Sequence, residues 1–136
     1  MKRQLFSDSQ YKAFDEWLLN YRHIDSRIAR RKLEIETFHV TDVNIGGSRS
    51  DKVIKRTEWL VERFDIDTKL NSLYAFKEGV DKLISGLNDE LLTVFNLRWI
   101  GGKSWEEIEY KLELKPREMK ASRIVILNMF ADMMGM

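Results

Sequence analysis

Cysteine is absent from the 136-residue chain, which excludes disulfides and thiolate metal sites and suits a reducing compartment. Proline occurs once and glycine seven times, so few positions force a helix to stop. No stretch approaches the roughly 18 consecutive apolar residues of a membrane span. The N-terminal MKRQLF runs at once into Ser7, Asp8, Ser9 and Gln10 instead of the apolar run of a signal peptide. A soluble, cytoplasmic protein with no membrane partner is expected. Strong charge of either sign is also missing: the formal net charge is +1, where a nucleic-acid binder usually shows a marked basic excess. Converging catalytic groups are lacking too. His23 and His39 lie in unrelated contexts without partners at metal-ligand spacing, and the adjacent Glu106 and Glu107 point in different directions on a helix. Neither an enzyme nor a metal site nor a cofactor is expected.

What the chain does have is helix-forming sequence and clustered charge. Hydrophobic residues make up 43%, enough for one domain or for a small domain with a helical arm. After the capping candidates Ser7, Asp8 and Ser9, the residues Phe14, Trp17, Tyr21, Ile24 and Ile28 recur at spacings of three and four, an apolar helical stripe that weakens towards Ile35 and Phe38. This predicts a helix over about 8–37. The pattern breaks over 39–50, where Gly46, Gly47, Ser48 and Arg49 suggest a turn; a phosphate nest there lacks any Walker or dinucleotide context. Ser50 or Asp51 can cap a second helix over about 51–85, weakest at 65–68, where helix propensity is poor. Residues 1–86 are therefore read as a helical arm or oligomerisation region, and 87–136 as a separate domain.

The last segment is the informative one. Asn88 or Asp89 caps a helix bearing Leu91, Leu92, Phe95, Leu97, Trp99 and Ile100, which Gly101 and Gly102 terminate. Ser104 and Glu107 then stand at N-cap and N3 of a capping box, starting a short helix with Trp105, Ile108 and Leu112 on one face. Pro116 opens a third helix, since proline at the first helical position sacrifices no hydrogen bond. A short helix, a tight turn and a longer helix behind a supporting helix is the layout of a helix-turn-helix. The expected fold is all-α: long N-terminal helices followed by this C-terminal unit.

In such a unit the second helix can enter the major groove of DNA and offer side chains near its N-terminus to bases and phosphates. With Met119, Ser122 and Ile126 as the buried face, the candidate DNA-binding residues are Arg117, Lys120 and Ala121, flanked by Lys115 and Arg123. Lys103, Arg49, Arg30 and Arg31 are candidates for a phosphate or second DNA contact. The run from Ile124 to Phe130 is apolar almost all round, which marks Ile124, Val125, Leu127 and Met129 as a candidate interface and favours a homo-oligomer. The rival to DNA binding is a helical protein-interaction or assembly module.

Residues 87–130 resemble the C-terminal promoter-recognition region of sigma factors (sigma-70 region 4), with Ser104-Trp105-Glu106-Glu107-Ile108 matching its Ser-aromatic-Glu-Glu-Ile signature. The segment Asp42-Val43-Asn44-Ile45-Gly46-Gly47-Ser48-Arg49-Ser50, followed by a long helix containing Thr57-Glu58, resembles the small phage-encoded transcriptional activators of the RinA and ArpU type. That resemblance implies a regulator carried by phages and prophages of Gram-positive bacteria, acting in the bacterial cytoplasm on late promoters, with double-stranded DNA and host RNA polymerase as partners. The sequence departs from the usual helix-turn-helix at Glu113, where the turn commonly has glycine, at Glu109, where a small residue is common, and at Lys115-Pro116-Arg117, where serine or threonine is frequent.

Overall fold

Ser7 sets where the first helix begins. Its hydroxyl accepts from Gln10 N (3.2 Å) while its own N–H donates to Gln10 Oε1 (2.9 Å), a reciprocal cap that starts α1 (Asp8–Leu19). The computed structural model describes residues 4–42 and 49–136, with side chains at 4–37 and 57–136. After α1 come a 3₁₀ turn (Asn20–His23), α2 (Ile24–Asp42), α3 (Arg49–Ile66), α4 (Thr68–Ser85), α5 (Asp89–Phe95) with a π-helical extension (Asn96–Ile100), α6 (Trp105–Leu112) and α7 (Pro116–Met133). The fold is all-α, and among the described residues there is no strand. No described helix is long and apolar enough to cross a membrane.

Two expected helices are each divided. The 3₁₀ turn splits the stripe expected over 8–37, and α2 runs on to Asp42. The second helix starts at Arg49, ahead of the expected caps Ser50 and Asp51, and is interrupted at Asp67. There the Asp67 carboxylate turns back to accept from Leu70 N (2.8 Å), the competition with backbone hydrogen bonding that makes aspartate a poor interior and a good cap. The Gly46-Gly47-Ser48 turn lies outside the described residues.

The chain forms two compact units, Met1–Arg22 with Phe76–Met136, and His23–Ala75. The division expected near residue 86 thus falls elsewhere, because α1 packs on α7 and the second half of α4 supplies core residues to the same unit. In that unit the aromatic core is continuous: Trp17 stacks on Phe76 (6.2 Å) and both meet Phe130 edge-on, at 5.1 and 6.1 Å. Trp99, Phe95, Phe130, Ile126 and Leu127 are completely buried. In the other unit α2 packs along α3, and Arg31 grips Asp67 with two hydrogen bonds, Nε at 2.9 Å and Nη2 at 2.6 Å. Lys32 lies over the rings of Phe64 and Tyr74 (5.7 and 5.5 Å), a cation held against aromatic faces.

Candidate nucleic-acid interface

Three punctuation marks in the sequence position the last two helices. Asn88 caps α5 through its side chain, which accepts from Leu91 N at 2.9 Å. The helix then widens: Gly101 N reaches back to Asn96 O (2.8 Å), and Gly102, at φ +70°, turns the chain out. A Cβ at Gly102 would meet only the tip of the exposed Arg22 side chain, which can move aside, so it is the backbone conformation that calls for glycine. Ser104 next accepts from Glu107 N (3.2 Å) while Glu107 Oε1 accepts from Ser104 N (3.4 Å), the capping box that starts α6.

Three residues separate α6 from α7. Glu113 closes α6 in the left-handed conformation, φ 54° and ψ 44°, and Leu114 N bonds back to Glu109 O at 2.9 Å. Pro116 then occupies the first turn of α7, while Glu118 accepts from Lys115 N (3.1 Å). Met119 and Ile126 are buried and Ser122 half-buried, so α7 rests on the face expected.

The opposite side of its first turns carries cations. Lys115, Arg117 and Lys120 are exposed and Ala121 is half-buried. Among the described residues, Arg117 and Lys120 make no ion pair. Arg123 is turned inward instead, its guanidinium 5.1 Å from the centre of the Trp105 ring, beside Arg98 at 4.8 Å from the same ring. Along α6 the sign reverses: Glu106, Glu107 and Glu113 are exposed, Glu109 is half-exposed, and Lys111 alone opposes them within Trp105–Glu113.

The remaining expected residues disperse. Lys103 is exposed and stands 4.0 Å from Glu107, a loose surface pair. Arg30 is exposed on α2, in the other unit. Arg31 is already engaged by two carboxylates, Asp67 and Glu34 (3.0 Å). These carboxylates raise the Arg31 pKa, and Arg31 in turn holds Asp67 at about 2, below the usual carboxylate range. The side chain of Arg49 lies outside the described residues. The candidate interface is also corrected: Ile124 and Leu127 are buried within their own unit, against α1 among other elements, which leaves only Val125 and Met129 partly accessible.

Sequence reasoning missed the groups that anchor this arrangement. Asp15, a carboxylate on the buried face of α1, accepts from Arg98 Nε (3.1 Å), Arg98 Nη2 (2.6 Å) and Trp99 Nε1 (2.9 Å). Its signal was present in the spacing of Tyr11, Phe14, Asp15 and Leu18, which places a carboxylate in an apolar stripe. Beside this network, α1, α6 and α7 enclose a cleft of about 430 Å³. Its charged lining is Lys12, Arg98, Lys120 and Arg123 against Asp8 and Asp15, with Trp105 as its aromatic wall. Among the described residues no group of three histidine, aspartate or glutamate side chains is gathered as a metal would require.

No curated protein and no solved structure matches the chain. The model of one family, DUF722, described as a protein of unknown function, matches residues 10–132, and the chain belongs to that family.

Proposed function

We propose that this protein is a sequence-reading DNA-binding regulator of transcription whose α6–turn–α7 segment acts as a helix-turn-helix. The observation that carries the reading is the start of α7: Arg117 and Lys120 stand exposed and, among the described residues, without ion pairs beside Ala121, while Met119 and Ile126 seat the helix in the core. A helix held by one face with donors on the other can be laid into a major groove, where arginine and lysine meet guanine acceptors or phosphates and a small alanine admits a thymine methyl. The resemblance to sigma region 4 and to the RinA and ArpU activators supports a phage or prophage late-gene activator as the biological role, working with host RNA polymerase in the bacterial cytoplasm. The rival reading as an interaction or assembly module started from the apolar second half of α7, where Ile124 and Leu127 are buried within the chain's own unit and Val125 and Met129 stay partly accessible. A homo-oligomer, expected in part on the same ground, now rests on the symmetry of paired half-sites.

A salt-dependent mobility shift tests the reading. Wild type should bind duplex DNA with log K falling linearly in log salt, and Arg117→Ala combined with Lys120→Ala should weaken it and flatten the slope by about 1.8, or 0.9 for each phosphate no longer neutralised. Recognition of bases instead of phosphates would show as reduced discrimination between operator and random duplex. A wild type that ignores DNA at low salt, while forming a defined complex with another phage protein, would refute it.

A further inference from the structure

Resting on the DNA-binding reading above, we infer that the cleft between α1 and α7 is a second, backbone-directed contact, in which Lys12 together with Lys120 and Arg123 receives a phosphate of the duplex beside the groove that α7 enters. The first helix of a helix-turn-helix ordinarily crosses the sugar-phosphate backbone. Here that helix is α6, and its acidic surface, Glu106, Glu107, Glu109 and Glu113 against Lys111, repels phosphates. Backbone contacts must come from another element next to α7. That element is α1, which packs along α7 and is tied to it by the Tyr11 hydroxyl donating to Asn128 Oδ1 at 2.6 Å.

The charge of the cleft suits an anion. Asp15 is neutralised by Arg98, which leaves Lys12, Lys120 and Arg123 facing the single carboxylate Asp8, itself accepting from Gln4 Nε2 at 3.0 Å. Lys12 is exposed and, among the described residues, makes no ion pair. Arg123 is braced on Trp105, so one donor is oriented before an anion arrives and loses little freedom when it binds.

The test uses the full chain and a mixed-sequence duplex, because a phosphate contact is indifferent to sequence. Lys12→Ala should weaken binding about fivefold and reduce the salt slope by about 0.9. Lys12→Arg should restore both, and thermal midpoints should coincide because the side chain is exposed. Unchanged slope and affinity in Lys12→Ala, with the Arg117 and Lys120 double variant still impaired, would overturn this inference and leave the groove-reading helix standing. Loss with Lys12→Ala while Arg117→Ala, a change outside the cleft, binds like wild type would support the cleft and sink the α7 reading. A parallel titration with inorganic phosphate at constant ionic strength, followed by tryptophan emission, separates the source of the anion. Saturable binding abolished in Lys12→Ala, with duplex affinity unchanged, would make this a free-anion site and overturn the DNA assignment.

Discussion

Replacing Glu113 by glycine should stabilise the protein, although glycine within a helix is ordinarily destabilising. Glu113 is the only non-glycine described with positive φ, at 54°, where its Cβ crowds the following carbonyl. Relief of that crowding is worth roughly 1–2 kcal/mol. Against it stands the greater freedom of glycine in the unfolded chain, about 0.5–1 kcal/mol. Removing a carboxylate from the negative end of α6 adds roughly 0.3 kcal/mol. The net gain is about 1 kcal/mol, or about 3–6 °C in thermal midpoint for a chain of this length. Urea unfolding followed by tryptophan emission suits the measurement, because Trp17, Trp99 and Trp105 belong to the unit that contains the turn. Glu113→Ala is the control, since it removes the charge and keeps the Cβ, and should gain only about 0.3 kcal/mol. If alanine matched glycine, or if glycine lowered the midpoint, backbone crowding at this turn would not be the cause.

Two further outcomes follow from charges placed in or near the core. Asp15→Ala leaves Arg98 and Trp99 without their acceptor in a buried site and should cost about 3–5 kcal/mol in denaturant unfolding, while Asp15→Asn, which keeps an oxygen for Trp99, should cost less. Asp67, held at about 2 chiefly by its hydrogen bonds to Arg31, binds a proton more readily when unfolded, so its contribution is complete above about pH 4 and disappears as the pH falls towards 2. The difference in thermal midpoint between wild type and Asp67→Asn should therefore be constant at neutral pH and shrink across that window. A difference that grew on acidification would show that the Arg31 pairing is not its origin.

The helices of 87–136 were legible in the sequence because their ends are written in local chemistry. The amide of Asn88, the paired Ser104 and Glu107, and Pro116 each satisfy or dispense with a terminal donor using residues within one turn. The break over Asn20–His23 had no such mark. None of these residues is glycine or proline, and the turn coincides with contacts far away in sequence, Tyr21 to Asp81 Oδ1 (2.5 Å) and Tyr21 to the Phe95 ring. The basic start of α7 was readable for the same local reason as its cap. The inward turn of Arg123 and the capture of Arg31 depended on Trp105 and on Asp67, which is 36 residues further along, and periodicity carries no information on such pairings. The apolar run after Ile124 likewise looked unpartnered only until α1 was seen to lie beside it.

The widened turn over Asn96–Ile100 makes the unit sensitive to length more than to composition. It stores an extra residue relative to a regular helical repeat, and that residue phases Arg98 and Trp99 so that both present their donors to one acceptor. Excising Asn96 would let the segment relax to ordinary winding and move Arg98 and Trp99 to other positions on the helix surface. Both donors would miss Asp15 together. Exposed Asn96 can accept many side chains, but a one-codon deletion beside it would be expected to undo the packing of α1 against the rest of its unit.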